Sequence, residues 1–526
     1  MATHAEAIAE TLAGCGVEFV FGLPGGEVLA LIDACRRRGL RFLLTGHESS
    51  AASMAQVIGQ IKGVPGVCVS TLGPGATNLV TGVANAFLDR APLLVFTAQI
   101  PGAAFPIMSH QRVHLDRLFS PITKRSLTLG TADSRELTSS SIALALAPRP
   151  GPVHLALPSD VAVQECDLAP PIEAPAASRS AGEETLPSIA ARINSSERPL
   201  VLIGLGAEPS AAATIRALVD RLQAPFLVTP KVKGILPEDD PRFLGVASGM
   251  AIDRDIVETI RAADLVVAVG FDPVECDKTW FADVEIVALD AVTMSEGSYR
   301  PLEAIGDMVA LIAALTADVE PKPWPEELLS RRRKAIARTP ASPRRGLSPL
   351  RLIEELRAVF PRDGLVTCDV GSHKLLMGQF WRAYQPGTFF VSNGLSGMGF
   401  GVPAAVGAQL AYPDRPVLAV VGDGGMLMML HDLVLIRELD LPIIIVVFLD
   451  SSLSLIRVSQ QRRGFPNYGV DFPAPDFAAI AQAFGISARR AESLAAVRTE
   501  VERALVNRSS VVLEVPVDLG EYYDLV

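Results

Sequence analysis

The run Leu418-Ala-Val-Val-Gly422-Asp423-Gly424-Gly425 is followed by a helical stretch, then by Leu441-Pro-Ile-Ile-Ile-Val-Val-Phe-Leu449 and Asp450-Ser451-Ser452. Two short, apolar, β-branched runs separated by a helix-length segment form a strand–helix–strand unit, the repeating piece of a buried parallel sheet. The second run is about half the length needed to cross a bilayer and begins at a proline, so it reads as a buried strand. A strand ending in Gly-Asp-Gly puts a carboxylate and exposed backbone amides at the C-terminal edge of a sheet, against a helix N-terminus. Such an edge accommodates a phosphate and its metal. Asp450 ends the next strand at the same edge. Asp423, Asp450 and a backbone carbonyl can then hold one hard cation, and Mg2+ is the expected choice.

The alternation extends outward in both directions. Near the N-terminus Val17-Glu-Phe-Val-Phe21 runs into a Gly-Leu-Pro-Gly-Gly turn, and 28–38 has helical spacing. Further strands are read at 66–70, 93–97 and 153–157. A middle set comprises Pro199-Leu-Val-Leu-Ile-Gly-Leu-Gly206, Asp264-Leu-Val-Val-Ala-Val-Gly270 and Glu285-Ile-Val-Ala-Leu-Asp290. Residues 167–186, rich in Pro, Ala, Ser and acid, and 318–347, where Pro mixes with charge, read as linkers. At 526 residues the chain exceeds one hydrophobic core. The fold class is therefore α/β, with three doubly wound parallel-sheet domains over 1–166, 186–318 and 346–526.

The net charge of −11 gives no electrostatic reason to expect nucleic acid or an anionic membrane as partner. Basic runs at Arg36-Arg37-Arg38, Arg331-Arg332-Arg333-Lys334 and Arg462-Arg463 are short and read as solvated helix faces. Six cysteines are scattered with no CxxC pair, which argues against a disulfide framework or zinc site and for a reducing compartment. The opening Met1-Ala-Thr-His-Ala-Glu lacks the basic and apolar regions of a signal peptide, so a cytoplasmic location is expected.

Gly422-Asp423-Gly424, with 25 residues between Gly424 and Asp450, resembles the signature of thiamine-diphosphate enzymes, in which Gly-Asp-Gly leads to a later Asn-Asn pair. Asp450 stands at the metal-binding Asn and Leu449 at the first Asn, while Gly425 replaces a common Ser that touches phosphate. Gly46-His47-Glu48-Ser-Ser-Ala-Ala-Ser-Met54-Ala55 resembles the family's His-Glu-x-x-Ala-x-x-Met-Ala stretch. Gly73-Pro-Gly-Ala-Thr-Asn78-Leu-Val-Thr-Gly-Val-Ala-Asn-Ala-Phe-Leu-Asp89 is similar, nearly residue for residue, to acetolactate synthase. So is Met398-Gly-Phe-Gly-Val-Pro-Ala-Ala-Val-Gly-Ala408.

The resemblance implies a pyrimidine-binding N-terminal domain, a central Rossmann-like domain and a C-terminal diphosphate-binding domain. It implies thiamine diphosphate and Mg2+ as cofactors and a small-molecule 2-oxo acid as substrate. Glu48 matches the glutamate that hydrogen-bonds the aminopyrimidine and so promotes loss of the C2 proton. Met398 matches the apolar wedge that bends the cofactor. Pro24, Asn78, Ser372, His373, Gly422, Gly424, Gly425 and Asp450 match cofactor contacts, and Asp423, Asp450 and the Ser452 carbonyl match the metal ligands. Gly25 and Gly26 follow a Pro-Gly-Gly pattern that leaves room over C2, and Gln111 matches a family glutamine. His110 replaces an aromatic and reads equally as an acid/base group or as a packing or solvent-facing one. In this family the two ends of the cofactor meet different subunits, which implies a homodimer or homotetramer with active sites at the subunit interface.

Some positions depart from the family. Ser459 stands where acetolactate synthase has a tryptophan, which implies a larger or more polar acceptor pocket. Arg457 or Gln460 then reads either as the partner of a substrate carboxylate or as part of a solvated helix face. Gly204-Leu-Gly206-Ala-Glu-Pro209 begins like a dinucleotide fingerprint, with Pro209 at the third glycine. Residues 231–238 and 269–275 only loosely resemble flavin-binding stretches, so FAD is an open but disfavoured option. The expected reaction is decarboxylation of a 2-oxo acid with carboligation to a second carbonyl. The alternatives are decarboxylation with a proton as acceptor, a flavin-dependent 2-oxo acid oxidase, and a catalytically silent partner subunit. Intact Glu48, Asp423 and Asp450 argue against the last.

Overall fold

The apolar runs read above lie in strands buried on both faces, and the strands assemble into three six-stranded, all-parallel sheets. This is a computed structural model, and it describes residues 2–526 apart from 131, 167–180, 248, 277–278 and 339–345. The first sheet contains β1 (Phe19–Leu23), β2 (Arg41–Leu44), β3 (Gly66–Ser70), β4 (Leu93–Gln99), β5 (Arg125–Thr128) and β6 (Pro152–Pro158), in the order β2-β1-β3-β4-β6-β5. The second contains β7 (Pro199–Ile203), β8 (Phe226–Val228), β9 (Phe243–Val246), β10 (Leu265–Val269), β11 (Ile286–Asp290) and β12 (Leu302–Ile305), ordered β9-β8-β7-β10-β11-β12. The third contains β13 (Leu365–Cys368), β14 (Phe389–Val391), β15 (Val417–Gly422), β16 (Ile443–Leu449), β17 (Ser487–Arg490) and β18 (Val511–Pro516), ordered β14-β13-β15-β16-β18-β17. The first and third sheets share one winding. The middle one has the strand order of dinucleotide-binding folds.

Two helices join the outer sheets. α1 (Glu48–Lys62) starts where the His47 Nδ1 accepts from the Ser49 amide and stops at Gly63, whose φ of 69° is left-handed. α2 (Pro74–Leu88) follows β3, with proline in its first turn. Small residues let α1 lie close to its neighbours. A Cβ on Gly407 would stand 2.5 Å from the Met54 carbonyl oxygen, so α1 touches the C-terminal domain backbone to backbone. The apolar residues of α1 and of the first sheet share one core cluster with those of the third sheet. The central sheet packs into clusters of its own.

Much of the linker read at 167–186 lies outside the described residues. The one read at 318–347 is partly folded: it contains a helix, α3 (Glu326–Ile336), and Trp324, Leu329 and Ile336 are buried with the central sheet. Leu329 and Ile336 stand seven apart, two helical turns, a spacing masked in the sequence by the charges between them.

Candidate active site

The candidate residues collect at the C-terminal edges of the two outer sheets, beside the crevices where strand order reverses, which is where ligands of open α/β sheets sit. At the first edge Pro24, Gly25 and Gly26 follow β1, Glu48 follows β2, Gly73 follows β3, and the loop 100–114 follows β4. Glu48 is only 3% exposed, and its Oε2 accepts from Asn78 Nδ2 at 3.0 Å. A Cβ on Gly75 would stand 3.1 Å from Glu48 Oε1, so α2 passes close over the carboxylate. The two glycines after β1 differ. Gly26 faces open space, whereas a Cβ on Gly25 would meet Thr71 at 2.5 Å, so packing already demands glycine there. Thr71 Oγ1 in turn donates to Glu27 Oε2 at 2.7 Å. His110 and Gln111 are exposed, and Gln111 leans over Gly73 with a φ of 53°.

At the second edge α4 (Ser372–Phe380) follows β13, Met398 follows β14, α6 (Asp423–Met429) follows β15, and Asp450 follows β16. α5 (Gly401–Ala411) starts just past Met398. Asp423 Oδ2 accepts the amides of Asp450 (3.1 Å) and Ser451 (2.6 Å), and its Oδ1 accepts that of Gly424 (2.7 Å). Asp450 Oδ1 accepts the Ser452 amide at 3.0 Å, and Ser452 Oγ donates to the Val470 carbonyl. Burial raises both acids. Asp450 is pushed up to about 7, by its burial and then by the Asp423 charge beside it. Two buried carboxylates facing each other are stabilised by a shared cation, so the donor set fits a hard metal. Among the described residues no three His, Cys, Asp or Glu side chains converge, so such a cation would rest on two carboxylates plus backbone carbonyl.

Ser372 is buried and its Oγ accepts from Ser454 Oγ at 2.9 Å. That contact ties α4 to α8 (Ser454–Arg462), the helix after the metal edge. His373 is buried beneath Gly422, and burial draws its imidazole down to about 4. Its Nε2 has no protein partner, as expected of a group that meets a ligand. Met398 is half-buried, with its Cε 3.2 Å from where a Cβ on Gly424 would stand. Gly425 turns inward: a Cβ there would lie 1.9 Å from Asp369 Oδ2, so the missing side chain makes room for Asp369.

Asp369 was given no role in the sequence reading. It is fully buried, and its Oδ1 accepts the amides of Gly399, Phe400 and Gly401, the start of α5. Its Oδ2 has no partner, and burial pushes it up to about 6. An acid closing an apolar strand, as Asp423 and Asp450 do, was the available signal.

α7 (Asp432–Glu438) follows α6, and Ser50 Oγ, one turn into α1, donates to Asp432 Oδ2 at 3.0 Å and lies 3.0 Å from His431 Nε2. The start of α1 is thus docked past the far end of α6 from Asp423, which is seven residues or roughly 10 Å of helix. Leu427, Met428 and Val434, on α6 and α7, are exposed.

The helix after Asp450 is committed differently from one reading of its sequence. Arg457 is ion-paired with Asp471, and Gln460 exchanges hydrogen bonds with the Tyr468 backbone, so both brace the 464–471 loop instead of offering themselves to a carboxylate. Ser459 lines a cavity of about 700 Å3 together with Met250, Leu375, Leu455, Arg463 and Asp524.

In the central domain the glycine turn that begins like a dinucleotide fingerprint is closed by a buried carboxylate. Glu275, fully buried, accepts the Leu205 amide (2.8 Å), Thr229 Oγ1 (2.6 Å) and the Lys231 amide (3.3 Å), and its own burial pushes it up to about 7. The amide of the glycine turn is thereby used internally. Gly204 and Gly206 are required because β7 and β10 turns cross there: Cβ atoms would meet Phe271 at 2.5 Å and Gly270 at 3.1 Å.

Comparison with known proteins agrees with this layout. Residues 2–116 match "Thiamine pyrophosphate enzyme, N-terminal TPP binding domain", 186–315 the corresponding "central domain", and 369–515 the "C-terminal TPP binding domain". The chain is 31% identical to an acetolactate synthase of Bacillus subtilis, covering 99% of this chain and 94% of that one. It is 32% identical to a probable acetolactate synthase large subunit of Methanocaldococcus jannaschii, over 99% and 93%. It is 33% identical to the acetolactate synthase isozyme 1 large subunit of Escherichia coli, over 92% and 88%.

Proposed function

The chain belongs to the thiamine pyrophosphate enzyme family, among the acetolactate synthases, and on that premise we propose that it decarboxylates a 2-oxo acid and joins the remaining fragment to a second carbonyl. The observation that carries the reading is the pair of matched sheet edges, one presenting buried Glu48 with Asn78, the other Asp423 with Asp450. When bound, thiamine diphosphate with Mg2+ supplies the nucleophilic carbon and the electron sink for loss of CO2. Asp423, Asp450 and the Ser452 carbonyl would hold the cation. Ser372, His373 and the backbone of Gly422, Gly424 and Gly425 would hold the diphosphate, and Met398 would support the ring system. Glu48, kept out of water by α2, gives and takes a proton at the aminopyrimidine, and Asn78 orients its carboxylate.

A second copy of the chain completes each site: the docking of the start of α1 beyond the far end of α6 from Asp423 supports this, and exposed Leu427, Met428 and Val434 support that surface as its seat. The acceptor enters beside Ser459. Ser459, standing where the resembling family has a tryptophan, supports an acceptor larger than a three-carbon acid. Reaction proceeds without flavin, since Glu275 closes the central turn.

The test is product analysis with pyruvate alone and with a panel of bulkier 2-oxo acids and aldehydes, with thiamine diphosphate and Mg2+ added or omitted and no flavin supplied. Cofactor-dependent coupled products are expected. Aldehyde and CO2 without any coupled product would replace carboligation by simple decarboxylation, and a strict need for FAD would refute the flavin-free reading.

A further inference from the structure

Met398 is carried by a loop, and the loop is clamped from both sides by buried carboxylates. Downstream, Asp369 takes the amides of Gly399, Phe400 and Gly401. Upstream, the clamp comes from another domain. Asp89, just past the end of α2, takes the amides of Asn393 (3.2 Å) and Gly394 (2.8 Å) on its Oδ1. Its Oδ2 takes Lys231 Nζ at 3.1 Å and is approached by Gln56 Nε2 at 3.3 Å and Asn85 Nδ2 at 3.4 Å. Lys231 belongs to the central domain and also donates to the Val391 carbonyl at 3.0 Å. Asn85 Oδ1 accepts Ser392 Oγ at 2.6 Å, and Ser392 Oγ accepts the Gly397 amide at 3.1 Å. The Lys231 and Asp89 side chains are 3% and 1% exposed.

All three domains therefore meet on the segment 391–397, directly before Met398. A buried ion pair is a poor source of net stability, because desolvation offsets most of the attraction. Its directional hydrogen bonds, however, define one backbone path and penalise others. The loop also holds a non-glycine residue at a left-handed angle, Ser396 with φ 53°, whose Oγ accepts from the buried Lys374 Nζ at 2.9 Å. Such a conformation persists only where the surroundings over-determine it.

We propose that Asp89, neutralised by Lys231, is the positioning residue for Met398, setting the height at which the methionine supports the cofactor rings. The proposal rests on the thiamine diphosphate reading given above. Asp89 touches neither substrate nor cofactor. It acts through the backbone of Asn393 and Gly394, so its loss displaces the wedge without removing a ligand of the diphosphate or the metal.

The test compares wild type, the double variant Asp89→Leu/Lys231→Met, which removes the acceptor of the Asn393 and Gly394 amides together with its counter-charge, and Lys231→Arg, which keeps the pair. Each is loaded with thiamine diphosphate and Mg2+. Far-ultraviolet circular dichroism checks folding, equilibrium dialysis gives cofactor affinity, and quenched hydrogen–deuterium exchange read by NMR gives the rate at which bound cofactor loses its C2 proton. The double variant is expected to fold and to bind cofactor within about threefold of wild type, since the anchoring residues are separate and untouched. Its C2 exchange is expected to slow on the order of ten- to a hundredfold, the consequence of a misplacement near 1 Å, with Lys231→Arg close to wild type. Wild-type exchange in the folded, loaded double variant would overturn the proposal. So would loss of folding or cofactor binding in parallel with exchange, which would make the pair a structural tie. Absence of C2 exchange from the wild type would instead overturn the underlying thiamine diphosphate reading.

Discussion

At the first turn of α1 a nearly buried carboxylate meets one side-chain amide, Asn78, and is otherwise left to whatever enters the crevice. Glu48→Gln preserves shape and loses the ability to take a proton. Turnover is expected to fall by about 10²–10⁴-fold while cofactor binding and fold persist, as steady-state kinetics beside equilibrium dialysis would show. A variant with undiminished turnover would remove Glu48 from the mechanism. A second residue-scale effect concerns stability. His154 on β6 is buried against Phe119, with Nε2 2.9 Å from Thr97 Oγ1 and Nδ1 2.8 Å from Ser126 Oγ. Burial lowers its pKa from 6.5 to about 3. The unfolded chain therefore binds this proton first, so the contribution is complete above pH 6.5 and is lost as pH falls towards 3, at about 1.4 kcal/mol per unit. Hydrogen exchange of β4 and β6 amides at pH 5 and 7 reads this, and His154→Gln should shrink the difference. An unchanged pH slope in the variant would assign the effect elsewhere.

At the scale of elements, helix crossing is set by what glycine leaves out. Gly407→Ala places a carbon 2.5 Å from the Met54 carbonyl oxygen, which neither backbone can avoid without moving. A loss of about 1–3 kcal/mol is expected in denaturant titration, with the first and third domains loosening together. A melt in which the first domain is unaffected would mean that the shared core is not cooperative. Elements also mark where sequence reading succeeds. Strands such as β15 and β16 are uninterrupted apolar runs ended by acid and glycine, a pattern that leaves no competing structure. The helix Glu326–Ile336 escaped because only Leu329 and Ile336 of its face are buried, under a run of arginines. Among site residues, those at strand ends were legible because strand ends are. Asp369 was passed over although it ends β13, and the Asp89–Lys231 pair could not be read, since its partners lie 142 positions apart on different domains. Likewise, Gly25 and Gly425 were read as glycine for the ligand's sake, and packing against Thr71 and Asp369 supplies a nearer cause.

At the scale of the whole molecule, the proposed sharing of each site between two copies makes a prediction about mixtures. If each site takes Glu48 from one copy and Asp423 from another, Glu48→Gln and Asp423→Ala are each inactive alone. Equal amounts, dissociated and reassembled together, should recover about a quarter of wild-type activity, since half the dimers are hybrids and each hybrid has one intact site. No recovery after demonstrated subunit exchange would place both residues in one subunit's site. The shared core of the outer domains reaches further, into the time course of synthesis. α1 ends at Lys62 and its cover, α5, begins at Gly401, 339 residues later. At about 5–20 residues per second, the ribosome needs roughly 20–70 s to supply that cover. For that interval the Met54 face of α1 stays bare in the emerging chain, while the central domain, with cores of its own, can already close.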